Sequence, residues 1–164
     1  MKIVISESQF NRLIESEEEQ KVLRIPSLKI FDDDWFLLQK FLEKKGNPPY
    51  SIKGDLDLEK TPVESLGNLQ SVGGDLSLYG IPIESLGDLQ SVGGDLNLYN
   101  TSLESLGNLQ SVGGDLDLGR TPIESLGNLK FVGGYLDFRS TPLSDMYTKE
   151  EILQMVNVGG NIYL

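Results

Sequence analysis

Cysteine and histidine are both absent from the 164 residues. Without them the chain forms no disulfide, offers no thiolate nucleophile, builds no zinc site with sulfur or imidazole ligands, and runs no imidazole acid–base mechanism. No run approaches the roughly 18 apolar residues that a membrane-spanning helix needs. Residues 1–6 hold one lysine and too short an apolar run for a secretory signal, so a cytoplasmic protein is expected. Positive charge is scarce: 14 Lys and Arg face 25 Asp and Glu, a net charge of −11. That balance disfavours nucleic acid and anionic membranes as partners and leaves a protein with a basic surface as the expected one.

Repetition is what the chain has in quantity. The string Ser65-Leu66-Gly67-Asn68-Leu69-Gln70-Ser71-Val72-Gly73-Gly74-Asp75-Leu76 returns at 85–96 (with Asp88 in place of asparagine), at 105–116 and, with Lys130, Phe131 and Tyr135 substituted, at 125–136, each time 20 residues on. A weaker half-unit, Ile52-Lys53-Gly54-Asp55-Leu56-Asp57-Leu58, precedes these copies, and a stretched unit occupies 141–164. A fixed period of this size predicts a solenoid, because one unit cannot bury its leucines without stacking on the next. The expected fold class is an α/β solenoid, a parallel β stack of about six rungs on the order of 25 Å long.

Within a unit only the Leu-x-Leu segment alternates with period two. One short strand per rung is therefore expected, at 75–79, 95–99, 115–119 and 135–139, with leucines inward. Gly-Gly before each strand is expected to turn a corner at positive φ, Thr-Pro after it to redirect the chain, and the three-residue steps of Ile83, Leu86 and Leu89 to form a tight or 3₁₀-like return.

The pattern Leu76-x-Leu78-x-x-Ile81-x-Ile83-x-x-Leu86-x-x-Leu89 resembles the short, 20-residue bacterial class of leucine-rich repeats, over residues 52–164. The Ser-Val-Gly-Gly-Asp-Leu corner is also similar to receptor L-type β-helical domains, a related solenoid. The asparagine-ladder position of the leucine-rich family holds Thr61, Ile81, Thr101, Thr121 and Thr141 here, so a threonine stack is expected to satisfy part of the backbone. Residues 2–13 and 147–152 look similar to small repeat proteins of bacteriophages and their hosts, which implies a bacterial or phage-infected cell as the setting.

Helical caps are expected at both ends, since a solenoid exposes its core there. Residues 1–50 read as the amino-terminal cap region and 51–164 as the solenoid. A strand is expected at 2–5, a helix at 6–19 ending in the charge run 15–19, and a second helix from Trp35 with Asp32, Asp33 and Asp34 before it, Lys44 and Lys45 in its last turn and Gly46 after it. Thr148-x-x-Glu151 forms a capping box for a helical insertion near 148–156.

Charge is concentrated in the repeats: residues 51–164 carry 16 acids and 6 bases, and no Lys or Arg occurs in 61–119. Stacking predicts one column of Asp55, Asp75, Asp95 and Asp115, and another of Glu64, Glu84, Glu104 and Glu124. Unit charges about 5 Å apart repel by around 1 kcal/mol in water. Either the aspartates accept backbone N–H bonds while the glutamates keep the surface soluble, or the columns attract a basic protein or divalent cations. Calcium β-rolls need a nine-residue period that is absent, so no metal and no cofactor is expected.

The outward strand positions give the expected protein-binding face: Ser77, Asn97, Asp117 and Asp137 in one column, Tyr79, Tyr99 and Arg139 in the next. Tyrosine offers large contact area at low entropic cost, although stacked tyrosines also shield a sheet. Asp117 and Asp137 together suit glycoside hydrolysis in principle, yet columns of acids are what the repeat itself generates. The expected function is a non-enzymatic protein-binding module. The alternatives are an acidic decoy that occupies the nucleic-acid site of a host protein, and a structural or virion-associated component.

Overall fold

A computed structural model describes residues 22–164, and the strand and helix expected within residues 2–19 lie outside the described residues. The repeats coil into a parallel β-solenoid with two sheets. The first has seven strands, β1 (Leu23–Ile25), β2 (Tyr50–Ile52), β4 (Leu69–Val72), β6 (Ser91–Val92), β8 (Ser111–Val112), β10 (Phe131–Val132) and β12 (Asn157–Val158). The second has six, β3 (Leu56–Asp57), β5 (Leu76–Ser77), β7 (Leu96–Asn97), β9 (Leu116–Asp117), β11 (Leu136–Asp137) and β13 (Ile162–Tyr163). Neighbours pair in the register of the sequence period: Leu76 lies against Leu96, Leu96 against Leu116, and Val72 against Val92. Equivalent leucines stack into one buried core, whose columns include Leu78, Leu98, Leu118 and Phe138.

Two strands per rung replace the one expected. The missed strand precedes Gly-Gly, where Leu89 and Val92 point inward with two outward residues between them, so the alternation that marks a strand is hidden. Backbone pairing reveals it: the amides of Gln90 and Gly93 donate to the carbonyls of Gln70 and Val72, both at 2.8 Å.

The Gly-Gly corner works differently from the expectation as well. None of these paired glycines has positive φ. They are required because a Cβ on Gly93 would collide with the Gly73 carbonyl oxygen one rung below, and a Cβ on Gly94 with Oδ1 of Asp75. The left-handed conformation occurs instead after β3, β5, β7, β9 and β11, at Lys60, Gly80, Asn100, Arg120 and Ser140, and in the return segments at Gly67, Gly87, Gly107 and Gly127.

At the amino-terminal end, β1 pairs with β2, and a 3₁₀ turn at Leu28–Phe31 leads into helix α1 (Trp35–Lys44). Asp34 is its N-cap, accepting the amides of Phe36 and Leu37, and Gly46 adopts φ 81 beyond its end. Trp35, Leu38 and Leu42 bury one stripe in the core, and Phe41 packs against it partly buried. The hydroxyl of buried Tyr50 donates to the Leu66 carbonyl at 2.7 Å and accepts from Gln39 Nε2 at 3.2 Å, tying α1 to the next rung.

In the last rung two short helices take the place of the irregular return. Helix α2 (Pro142–Met146) starts at Thr141 with proline in its first turn, and α3 (Lys149–Met155) carries the expected capping box between Thr148 and Glu151. The threonine column is real: Thr101, Thr121 and Thr141 are buried, and their hydroxyls donate to the carbonyls of Leu98, Leu118 and Phe138. Among the described residues no helix is long and apolar enough to cross a membrane.

Candidate functional site

The outer surface of the second sheet holds a groove of about 240 Å³, lined by Asp75, Ser77, Asp95, Asn97, Asp115, Asp117 and Tyr135 over the backbone of Leu76 and Leu96. Its floor is the column that begins at Ser77, because side chains two residues apart on a strand share a face. The aspartate column stands along one side of that floor; on its other side come the strand positions of Tyr79 and Tyr99, which lie outside the groove's own lining.

The aspartate wall is built by a single repeated bond. Oδ1 of Asp55, Asp75, Asp95 and Asp115 accepts the backbone amide of the equivalent residue one rung on, at 2.8–3.0 Å. Like charges are thus held in file by backbone donors, as one of the two readings of this column anticipated. Tyr135 ends the wall where a fifth aspartate would stand. Burial, then Asp115, Asp117, Asp95 and Asp137, raise its phenol above the usual range.

The floor repeats a second motif. Asp57, Asn97, Asp117 and Asp137 each accept, through Oδ1, the amide two residues on, which fixes the turn after the strand. Desolvation raises the Asp117 carboxyl above the ordinary carboxylate range, its register partner Asp137 adds to the rise, and the Gly119 amide and Arg139 oppose it. Desolvation acts upward on Asp137 too, but hydrogen bonds and charge from Arg139 outweigh it and hold that carboxyl below its usual value. Arg139 grips Asp137 through Nε and Nη2, the latter at 2.6 Å, so Asp137 is committed to an ion pair.

Beside the groove the rings of Tyr79 and Tyr99 lie parallel, 4° apart with centroids separated by 5.5 Å. Arg120, one rung further on, places its guanidinium 5.5 Å from the Tyr99 centroid. Both faces of Tyr99 are covered as a result. A Cβ at Gly119 would come within 2.9 Å of the Tyr99 ring, so the missing side chain there lets the ring lean over the next rung. At the end of the column Arg139 lies over Tyr163 at 5.3 Å, and Tyr163 meets Tyr135 edge to face.

The groove therefore brings together Ser77, Asn97, Asp117 and the aspartates 75, 95 and 115, while Asp137, Tyr79, Tyr99 and Arg139 hold outward strand positions of the same sheet outside its lining. Asp55 continues the column below it. Glu64, Glu84, Glu104 and Glu124 are exposed and line no part of this groove. Sequence reasoning missed two participants. Tyr135 was discoverable by register, since it stands 20 residues after Asp115. Arg120 carried no signal, because its reach over Tyr99 depends on a left-handed backbone, φ 57.

Chemically the groove is an acceptor surface of carboxylates, closed at its later end by Tyr135. Among the described residues no group of three or more Asp and Glu is arranged to hold a metal ion. No protein-family model matches the chain, and no curated protein or solved structure does either, so the class defined here is that of a parallel β-solenoid.

Proposed function

We propose that the chain is a non-enzymatic binding module that holds a basic protein segment in the groove of the second sheet. One observation carries this reading: carboxylates recur along the groove at each rung beside exposed Tyr79, and residues 61–119 hold no Lys or Arg to neutralise them. A cationic segment would relieve the mutual repulsion of the aspartate column, and the tyrosines would supply desolvated contact area. We place it among leucine-rich-repeat-like proteins of the cytoplasm of a bacterium or a phage-infected cell, on the repeat pattern alone.

The test is a titration of the isotope-labelled protein with a peptide of alternating lysine and serine, followed by amide chemical shifts. Shifts confined to Ser77, Asn97, Asp117 and Tyr79, with Ser71, Ser91 and Ser111 of the first sheet unmoved, are expected. Shifts spread evenly over both sheets would defeat the proposal.

A further inference from the structure

We infer that the carboxy-terminal end of the solenoid is a self-association surface, which pairs with the same end of a second copy across a two-fold axis.

The direction of the backbone ladder points to this end. In the second sheet the amides of Leu136 and Phe138 donate forward, to the carbonyls of Asn161 and Tyr163 at 2.9 and 3.0 Å. In the first sheet the carbonyls of Val132 and Gly134 accept from the rung ahead, from the amides of Gly159 and Gly160 at 2.9 and 2.8 Å. Ile162 and Val158 are the register partners of Leu136 and Val132 on the last rung. A trans peptide points its two groups in opposite directions. With the Asn161 and Tyr163 carbonyls turned back, the amides of Ile162 and Leu164 therefore face the open end. By the same rule the backward amide of Gly159 turns the Val158 carbonyl forward, and the Gly160 carbonyl takes the place that Gly134 holds one rung earlier. β12 and β13 are the last strands of their sheets, and these four groups meet no backbone partner among the described residues.

Apolar side chains gather on the same rung. Met146, Leu153, Met155, Tyr163 and Leu164 are exposed, half of the ten large hydrophobic side chains exposed among the described residues. Leu143, Ile152, Val156 and Ile162 are buried, so the core is already closed there and the exposed five are surplus to it. Unpaired edge strands beside exposed apolar side chains are a template for another chain.

Complementarity and charge make that chain a second copy. One edge offers two donors two residues apart, Ile162 and Leu164, and the other offers two acceptors two residues apart, Val158 and Gly160. A two-fold rotation that exchanges the sheets sets the donors of each copy against the acceptors of the other, so both edges are satisfied at once. Residues 61–119 carry eight acids and no base, whereas residues 120–164 carry five acids and four bases. Copies that repel through their middle rungs can therefore meet at this end. At the amino-terminal end α1 buries Trp35, Leu38 and Leu42 over the core, so the match for the carboxy-terminal end is its own kind, and a closed pair forms instead of an open fibre. None of the residues that line the acidic groove lies in 141–164, so the pair leaves both grooves open.

Sedimentation equilibrium of the full chain over a wide range of concentration tests this. Wild type is expected to pass from monomer to dimer as concentration rises. Leu164→Pro deletes an amide that the monomer leaves unused and should weaken the dimer about tenfold, while Leu164→Ala keeps the amide and should weaken it less. Leu153→Lys/Met155→Lys, at exposed positions of α3, should also weaken it about tenfold. Circular dichroism melts at low concentration check that each variant folds. A wild type that stays monomeric throughout overturns the proposal and leaves the edge to a different protein. A dimer unaltered by both Leu164→Pro and Leu153→Lys/Met155→Lys overturns it too, since another face then holds the copies together. Species that keep growing beyond the dimer overturn the two-fold arrangement.

Discussion

The backbone amide of Asp95 donates to Oδ1 of Asp75 at 2.8 Å, and the same bond joins Asp115 to Asp95. Each aspartate is thus acceptor for one rung and donor to another, and the column of charge follows from the bond. Asparagine offers the same acceptor oxygen without the charge. Asp95→Asn should therefore leave the melting temperature unchanged or raise it, because repulsion from Asp75 and Asp115 is removed. Asp95→Ala should cost about 1 kcal/mol, since the Asp115 amide loses its partner. Thermal melts of both variants check this, and added salt should stabilise wild type more than Asp95→Asn.

Gly93 and Gly80 test two different demands on glycine. A Cβ on Gly93 would strike the Gly73 carbonyl, whereas around Gly80 there is open space and only its φ of +69 is at issue. Lys60, Asn100, Arg120 and Ser140 occupy the Gly80 position in other rungs at φ 57–63. Urea unfolding should show Gly80→Ala costing about 1 kcal/mol and Gly93→Ala about 3 kcal/mol or more, because backbone must move apart along the stack. Equal costs would mean that the rungs yield easily.

Asp117 should be a site where removing a charge stabilises the fold. Desolvation and then Asp137 raise its carboxyl in the folded state, so the ionised form is disfavoured there relative to the unfolded chain. The penalty is complete at neutral pH and disappears as pH falls below the unfolded value of about 4. Asn97 already makes the same bond to the amide two residues on, at 3.1 Å, so an amide fits the position. Asp117→Asn should raise the melting temperature at neutral pH by a few degrees, with the gain fading toward pH 4. A gain that persists unchanged in acid would point away from titration.

The stacking of Leu76 on Leu96 and the burial of Leu78, Leu86 and Leu89 follow from the period alone, because identical units in one register align identical side chains. Caps were legible for a similar reason: Asp34, Gly46 and the Thr148–Glu151 pair are local signals that need no tertiary knowledge. What escaped depends on contacts between rungs. A glycine that avoids a neighbouring carbonyl and a glycine that adopts positive φ look alike in sequence, and Gly93 is the former. The strand at Ser91–Val92 has too few alternating residues to announce itself and is defined by its ladder. Within the candidate face, columns were countable, yet the order along them was not. Gly119 reads as a gap in the tyrosine column, and only the coordinates show Tyr99 leaning over it and Arg120 closing the stack.

Arg139 and Asp137 give a pH test of opposite sign to that of Asp117. Burial pushes the Asp137 carboxyl up, and the Arg139 hydrogen bonds and charge outweigh that push and hold it below the usual range. The contribution of a depressed carboxyl is present above its unfolded value and is lost as pH falls through the folded one. In Arg139→Ala only the backbone amide of residue 139 still opposes desolvation, so the Asp137 carboxyl should rise from its depressed value and the variant should melt lower than wild type at neutral pH. That deficit should narrow below about pH 4, where the carboxyl is protonated in both states. Arg139→Ala/Asp137→Asn should recover part of the loss at neutral pH, since an amide keeps the bond to the backbone N–H of residue 139 without a buried charge. Arg139→Lys should fall between, because an ammonium restores the charge but neither forks across both oxygens nor lies flat over Tyr163. A deficit independent of pH and unrelieved by the double replacement would assign the role of Arg139 to its cover over the Tyr163 ring instead of to its pairing with the carboxylate.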